Sequence, residues 1–219
     1  SSVAAMGGSA AERVADESTA SNADDIGLDY SRSKLHGERE ALKVAQKGLP
    51  LAILRPVVIL GPGDIYQSST STILAFVRGK MPVYVEGRPS FGDVREMAAA
   101  HVAALTKGRP GETYILGGNN VTLTELLAAI QDVTGVAPPP QVPYPLAYSI
   151  AGVIEYIAKL RHQHASLSRQ LAKAGHMCTW VSSDKAKAEL GYSIRPLRDS
   201  LRDTIRFALH SGRLRPTTD

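Results

Sequence analysis

Two residues in the segment 29–38 could move a proton together, namely Tyr30 and Lys34. They are four residues apart, and on an α-helix that spacing places both side chains on one face. A phenol is a poor proton donor or acceptor near neutrality because its reference pKa is about 10, but a neighbouring ammonium stabilises the phenolate. The pair therefore suits general acid–base chemistry, although a surface tyrosine beside a solvated lysine has the same spacing.

The elements around this pair predict an α/β chain. The Tyr30 helix is expected to run to about Lys47 and to end at residues 48–50, because glycine followed by proline stops helices. Residues 51–60 are an almost continuous apolar run, which is typical of a strand buried on both faces in a parallel sheet. A turn at 61–64 follows its carboxyl end, where open α/β sheets bind their ligands.

Further helices and strands are predicted along the rest of the chain. Helices are expected over 69–79, 94–106, 122–134, 183–190 and 197–210, short strands over 81–85 and 113–116, and a loop over 8–28. Thr122 and Glu125 have the spacing of a capping box at the start of the 122–134 helix, and Gly191 is expected to end the 183–190 helix. A long helix over 145–174 has an apolar first half, which includes Ile150 and Ile154, and a basic and polar second half. A buried helix is favoured over a membrane-surface helix here, so the apolar half is expected to face inward.

Composition narrows the class of protein. The chain has 219 residues, of which 43% are hydrophobic and 21% charged, as in soluble globular proteins. A net charge of +4 suits an anionic cofactor or substrate, while no basic run is dense enough to indicate nucleic-acid binding. No apolar run is long enough for an integral membrane segment. Cys178 is the only cysteine, which excludes an intrachain disulfide and fits a reducing, cytoplasmic compartment.

Other chemistries have weaker support in the sequence. His162 and His164 are two residues apart and would point apart on a helix, so no metal site is expected. The Gly-x-Ser-x-Gly elbow of a serine hydrolase does not occur. Asp93 and Arg95 could contact a substrate or form a structural ion pair, and Cys178 is expected to be a core residue rather than a nucleophile.

Several motifs follow one another in a recognisable order. They are SVAAMG at 2–7, YSRSK at 30–34, LRPVVILGPGD at 54–64, FGDVREMAAAH at 91–101, GETYILGG at 111–118 and SSDKAKAELGY at 182–192. Their order resembles that of the extended short-chain dehydrogenase/reductases, most closely the epimerase/dehydratase group and its dihydroflavonol-reductase-like branch. The resemblance implies the C-terminal part of a Rossmann-type doubly wound parallel sheet, with a smaller mixed substrate lobe.

The resemblance also implies a division of the chain and a set of site residues. Residues 1–66 and 90–120 would form a partial dinucleotide-binding domain, and residues 67–89 and 121–219 the substrate lobe. The implied catalytic residues are Ser2, which would hydrogen-bond the reacting oxygen, Tyr30 as the acid/base, and Lys34, which would favour its phenolate form. The implied cofactor-binding residues are Tyr30, Lys34, Pro56, Val57 and Ile59.

The implied function is that of an NAD- or NADP-dependent oxidoreductase or epimerase. It would transfer hydride to or from a small molecule with a hydroxyl or carbonyl, such as a nucleotide sugar, a flavonoid-like ketone or a sterol-like alcohol. An alternative from another class is a non-catalytic remnant or regulatory binding module that keeps the fold. The intact Ser2, Tyr30 and Lys34 favour the enzyme, while the absence of a glycine-rich phosphate loop from the sequence favours the module.

The start of the chain leads to four expectations. The small residues at 1–7 are expected to follow or end a strand, and the chain is expected to be part of a longer one. Since a dinucleotide is held largely by its pyrophosphate, residues 1–219 alone are expected to bind NAD or NADP weakly. The family's dimer would pair the Tyr30 helix with an upstream helix, so a homodimer is expected only of a longer chain.

Overall fold

The structure, a computed structural model, describes residues 1–161 and 168–214, so His162 and His164 lie outside the described residues. A short 3-10 helix over Val3–Met6 comes first. The remaining elements are α1 (Asp29–Ala45), β1 (Ile53–Pro56), β2 (Val58–Leu60), α2 (Ser71–Val77), β3 (Ser90–Asp93), α3 (Val94–Lys107), β4 (Thr113–Leu116), β5 (Asn119–Asn120), α4 (Leu123–Thr134), α5 (Tyr144–Leu160), α6 (Arg169–His176), α7 (Asp184–Leu190) and α8 (Leu197–His210).

The strands pair mainly in parallel, as the predicted α/β class requires. β1 runs parallel to β4, with Ile53 opposite Thr113 and Pro56 opposite Leu116. β2 runs parallel to β3, and β5 adds an antiparallel pair on the other side of β3. The parallel pairs are joined by helical crossovers, which is the construction of doubly wound sheets.

The apolar run at 51–60 differs from its prediction as one strand buried on both faces. It divides at Val57 into β1 and β2, which belong to different sheets. Val57 is buried, but Val58 is exposed and Ile59 only half-buried. The reason is a shortage of neighbours, because β1 and β2 each pair with a single strand among the described residues.

Two hydrophobic cores hold the elements together. The first packs β1, β4, α3 and α7 around fully buried side chains such as Tyr114 and Ile115. The second packs α2, α4 and α8, and it takes in Leu60 from β2 and Phe91 from β3. The predicted substrate-lobe helices thus share a core with strands assigned to the cofactor domain, and the division at 66, 89 and 120 stays a prediction.

Local capping signals explain where several helices begin and end. α4 starts with the predicted capping box, in which Thr122 and Glu125 each bond the other's backbone N–H. α7 ends at Gly191, which adopts the left-handed conformation that glycine favours. The predicted strand at 81–85 is reduced to a single bridge between Tyr84 and Gln141.

The predicted helix at 145–174 is described as two helices, α5 and α6, and its apolar half faces outward rather than inward. The buried residues of α5 are Ala147, Ala151 and Gly152, whereas Ile150 is exposed. Ile154 is half-buried. The side of α5 that meets α6 carries both small and large side chains, because Gly152 lies against the guanidinium of Arg169 and the Tyr144 ring stacks on the His176 ring at 4.3 Å between centroids.

Asp93 and Arg95 form a structural ion pair with each other. The Asp93 carboxylate is buried and accepts from Arg95 Nε and Nη2 at 2.8 and 2.6 Å and from Ser200 Oγ at 2.8 Å. Burial alone would raise the pKa of Asp93, but these hydrogen bonds outweigh burial and lower the pKa to about 2. The pair ties β3 and α3 to α8, which makes it part of the scaffold behind the second core.

No described helix is long and apolar enough to cross a membrane. No group of three His, Cys, Asp or Glu side chains lies close enough together to hold a metal ion among residues 1–161 and 168–214. Cys178 is buried, as predicted, and its thiol contacts the Arg13 carbonyl oxygen at 3.4 Å.

Candidate functional site

A cleft of about 740 Å³ brings together most of the site residues predicted from the sequence. Its walls include Ser2, Tyr30, Pro56, Val57 and Ile59. These residues come from three places in the chain: the start of the 3-10 helix, the first turn of α1 and the junction of β1 with β2. The volume is in the range of small-molecule sites.

Tyr30 and Lys34 lie next to each other on one face of α1, as their spacing predicts. Tyr30 is the second residue of α1, and its side chain is 61% exposed in the cleft. The Lys34 ammonium lies 5.4 Å from the centroid of the Tyr30 ring. Lys34 itself is half-buried behind the ring and does not line the cleft. The ammonium therefore faces the aromatic ring of Tyr30 rather than the open cleft.

Ser2 has an extended backbone and caps the 3-10 helix rather than following a regular strand. Its Oγ accepts a hydrogen bond from the Ala4 N–H at 3.2 Å. This bond uses one lone pair and leaves the hydroxyl proton available as a donor. The cap thereby fixes the position of the oxygen while its O–H can point to a group in the cleft.

The loop at 8–28 holds the 3-10 helix in place through hydrogen bonds to its backbone and to the residues that follow it. Ser21 Oγ donates to the Ala5 carbonyl at 2.7 Å, and the Asn22 N–H donates to the Met6 carbonyl at 3.1 Å. The Asn22 side chain also accepts from the Gly8 N–H and donates to the Gly8 carbonyl. Gly7 makes this closure possible, since its φ of 89° is strained for other residues and a Cβ there would overlap the Asn22 amide.

Gly7→Ala is accordingly expected to destabilise the fold by about 1–3 kcal/mol, because alanine must adopt a sparsely populated conformation and displace Asn22. The free energy of unfolding from urea titration measures this effect. Gly37→Ala is the matched control: Gly37 lies in α1 with open space around it, so alanine there should be neutral or stabilising. Equal effects of the two changes would show that Asn22 does not constrain residue 7.

Glu38 and Arg55 anchor α1 to β1, and sequence reasoning missed both. Arg55 donates from Nε and Nη2 to the two Glu38 oxygens at 2.8 and 2.6 Å, and Ser1 Oγ donates to Glu38 Oε1 at 2.6 Å. Burial would raise the pKa of Glu38, but hydrogen bonds from Arg55 and Ser1 outweigh burial and leave the pKa below its ordinary value. Glu38 lies one turn beyond Lys34, so this pair sets how α1 presents Tyr30 to Pro56.

Hydroxyl side chains that the sequence analysis did not single out line another part of the cleft. They belong to Ser68, Ser69, Ser71 and Thr72. Asp64 holds the start of this segment by accepting from the backbone N–H groups of residues 68–70 at 3.0–3.1 Å. The sequence did contain a signal for these residues, because the serines and threonines follow closely after the 61–64 turn, and that turn was expected to lie beside the ligand site.

α6 and the residues after it supply a further wall. Gln170, Leu171, Ala174 and Met177 contact the cleft. Gln170 Nε2 donates to Asp29 Oδ2 at 3.0 Å, which joins α6 directly to the residue before Tyr30. The cleft therefore has an apolar side at Pro56–Ile59, a hydroxyl-bearing side at 68–72, and a mixed side on α6.

The fold and this cleft define a Rossmann-type α/β protein with a tyrosine–lysine pair at the head of a helix. The chain belongs to the NAD dependent epimerase/dehydratase family, whose model matches residues 1–117. It is 34% identical over 218 residues to a protein of Synechocystis sp. named "Putative dihydroflavonol 4-reductase", a match that covers 97% of this chain and 64% of that protein.

Solved structures show the same architecture. The protein gox2253 superposes with a TM-score of 0.83 at 36% identity, over 98% of this chain and 66% of its own. A nucleoside-diphosphate-sugar epimerase from Pseudomonas aeruginosa superposes with a TM-score of 0.78 at 26% identity, over 96% of this chain and 65% of its own. The chain thus spans a little under two thirds of the length of the proteins it resembles.

Proposed function

We propose that this chain forms the nicotinamide and substrate sides of an active site that moves hydride between NAD(H) or NADP(H) and a small molecule. The reacting group is a hydroxyl or a carbonyl. The observation that carries this proposal is the convergence of Ser2, Tyr30 and Pro56 on one cleft, with Lys34 behind the Tyr30 ring. Membership of an NAD dependent family supports the choice of cofactor.

The residues present fit the nicotinamide end of such a cofactor. Pro56, Val57 and Ile59 offer a largely apolar wall suited to a flat ring, and the Tyr30 hydroxyl is on the same cleft. Lys34 lies behind the Tyr30 ring in this structure, so its ammonium would have to turn toward the cleft to hold the ribose hydroxyls. When bound, the nicotinamide supplies the hydride donor or acceptor. The sequence has no Gly-x-Gly-x-x-Gly motif, so the residues named here account for the nicotinamide end only.

The proton is handled by the protein. In oxidation of an alcohol, the Tyr30 phenolate takes the hydroxyl proton as hydride leaves the carbon, and in reduction the Tyr30 phenol returns that proton to the carbonyl oxygen. The Ser2 hydroxyl donates a hydrogen bond to the same oxygen, because its bond with Ala4 uses a lone pair and leaves the hydroxyl proton available. The Lys34 ammonium stabilises the phenolate electrostatically.

An isotope experiment on the natural full-length protein tests this function. Candidate alcohols, nucleotide sugars among them, are deuterated at the carbinol carbon and incubated with each cofactor, and products are analysed by mass spectrometry. A reductase moves the label into the nicotinamide with net change in reduced cofactor. An epimerase yields the inverted isomer with no net change. Cofactor binding without any cleavage of the C–H bond across the panel would instead support a regulatory binding module.

A further inference from the structure

Three hydroxyl side chains on one wall of the cleft have no hydrogen bond to another described residue. They belong to Ser69, Ser71 and Thr72, here called the hydroxyl strip. The hydroxyls of Ser68 and Thr70 instead donate to the Asp64 carboxylate, at 3.3 and 2.9 Å. Asp64 therefore uses the hydroxyls on either side of Ser69, while those of the strip remain free to bind a ligand.

The hydroxyl strip is held in position by the surrounding protein. Asp64 accepts hydrogen bonds from the backbone N–H groups of residues 68–70 at 3.0–3.1 Å. Directly after the strip, Ile73 and Leu74 are buried in the second core. Ligand binding would therefore require little further ordering of this segment. Because Asp64 occupies the N–H groups of residues 68–70, this part of the wall presents hydroxyls rather than backbone donors.

The side chains on the described walls of the cleft are close to neutral. No lysine, arginine or histidine side chain is among the described residues that line it. Its carboxylate, Asp29, accepts from Arg32 Nη2 at 2.8 Å and from Gln170 Nε2 at 3.0 Å, so this charge already has partners. Hydroxyl side chains both donate and accept, which matches the hydroxyl groups of a ligand, whereas phosphates are typically held by charge-assisted bonds from arginine or lysine.

We propose that the hydroxyl strip determines substrate specificity by binding two or more non-reacting hydroxyl groups of an uncharged, polyhydroxylated substrate. This inference rests on the proposed function, in which the cleft is the substrate site. The reacting oxygen lies at Ser2 and Tyr30, and further hydroxyls of the same molecule lie along the strip on another wall of that cleft. A nucleotide sugar fits less well, because the described walls offer no cationic side chain to its diphosphate.

A pair of uncharged probes tests the strip in the natural full-length protein with cofactor bound. The probes are myo-inositol and cyclohexanol, which share a cyclohexane ring, and only inositol has hydroxyls beyond the one expected at Ser2 and Tyr30. Dissociation constants are measured by NMR titration. Ser69→Ala combined with Thr72→Val should weaken inositol binding about threefold to tenfold, the range for loss of a hydrogen bond, and should change cyclohexanol binding less than about twofold.

Both strip changes preserve the contacts that shape the cleft. Ser69→Ala keeps the backbone N–H that Asp64 binds, and Thr72→Val keeps the shape of an exposed side chain. Thr106→Val is the matched control: Thr106 is exposed on α3 and does not line the cleft, so binding of either probe should not change. Agreement of the thermal unfolding midpoints of wild type and variants excludes a loss of structure.

The outcomes separate this inference from the proposed function. A loss of binding confined to inositol supports the strip even if no substrate transfers hydride, and absence of hydride transfer would count against the proposed function alone. Equal losses for the two probes would show that the strip only shapes the cleft, which would overturn the inference. No measurable binding of inositol would overturn it too, as would UDP-glucose binding that is tighter than inositol binding and unaffected by the two strip changes.

Discussion

Tyr30→Phe is expected to lower the turnover number of the natural full-length protein by about two to four orders of magnitude, the usual range for a general acid–base group. The change removes only the hydroxyl, so the ring that faces the Lys34 ammonium at 5.4 Å is kept. Substrate oxidation would then lack a base at the reacting oxygen, and reduction would lack an acid. Steady-state kinetics at saturating cofactor give the turnover number and KM separately, and the loss should fall mainly on the turnover number.

Tyr66→Phe is the matched control for this experiment. Tyr66 is 92% exposed and does not line the cleft, so loss of its hydroxyl should leave turnover within about twofold, as for other surface changes. Thermal unfolding of both variants excludes a loss of structure. If Tyr30→Phe keeps more than about a tenth of the turnover number, another group handles the proton and the proposed mechanism is wrong.

Sequence reasoning succeeded where the signal was local. Three predictions depend on residues that are no more than four positions apart. They are the spacing of Tyr30 and Lys34, the capping box at Thr122 and the helix end at Gly191. Helix geometry alone carries such information. The order of motifs added the family, which the match over residues 1–117 establishes.

The contacts that position the site were outside the reach of local patterns. Glu38 and Arg55 are 17 residues apart and meet only because α1 packs over β1. In the sequence, Glu38 looks like one of several charges on a helix, and nothing marks it as buried. Loop residue Asn22 was missed in the same way, since its role depends on Gly7 turning toward it.

The outward orientation of α5 does not follow from its apolar pattern. A run of apolar residues on a helix usually marks the buried face, and that rule predicted Ile150 and Ile154 inside. Ile150 is exposed and Ile154 only half-buried, while the buried residues of α5 are Ala147, Ala151 and Gly152. Burial along this helix therefore does not follow the size of the apolar side chain.

Glu38→Ala is expected to lower the free energy of unfolding by about 3–5 kcal/mol, the usual cost of leaving one partner of a buried ion pair alone. The Arg55 and Glu38 side chains are only 13% and 5% exposed, so water cannot replace the lost carboxylate. Urea titration at neutral pH measures the change. Glu40→Ala is the control on the same helix: Glu40 is exposed and, within the described part of the chain, pairs only with Lys43, a kind of pair worth less than about 1 kcal/mol.

A second variant keeps the test decisive if Glu38→Ala does not fold. Glu38→Leu combined with Arg55→Met replaces the pair by apolar groups, and it should recover most of the lost stability because no buried charge is left unpaired. If the double variant is as unstable as Glu38→Ala, the cost does not come from an orphaned Arg55 and the electrostatic account fails.

The pH dependence gives an independent check on the same pair. Because the pKa of Glu38 is lower in the folded state than in the unfolded state, its contribution is fully present above the unfolded value of 4.5 and is lost as pH falls through the folded value. As the pH falls below about 4, the wild type should therefore lose more free energy of unfolding than the double variant Glu38→Leu with Arg55→Met, which has no carboxyl group at residue 38. Parallel stability curves for the two proteins over that interval would show that Glu38 is not held ionised by Arg55 and Ser1.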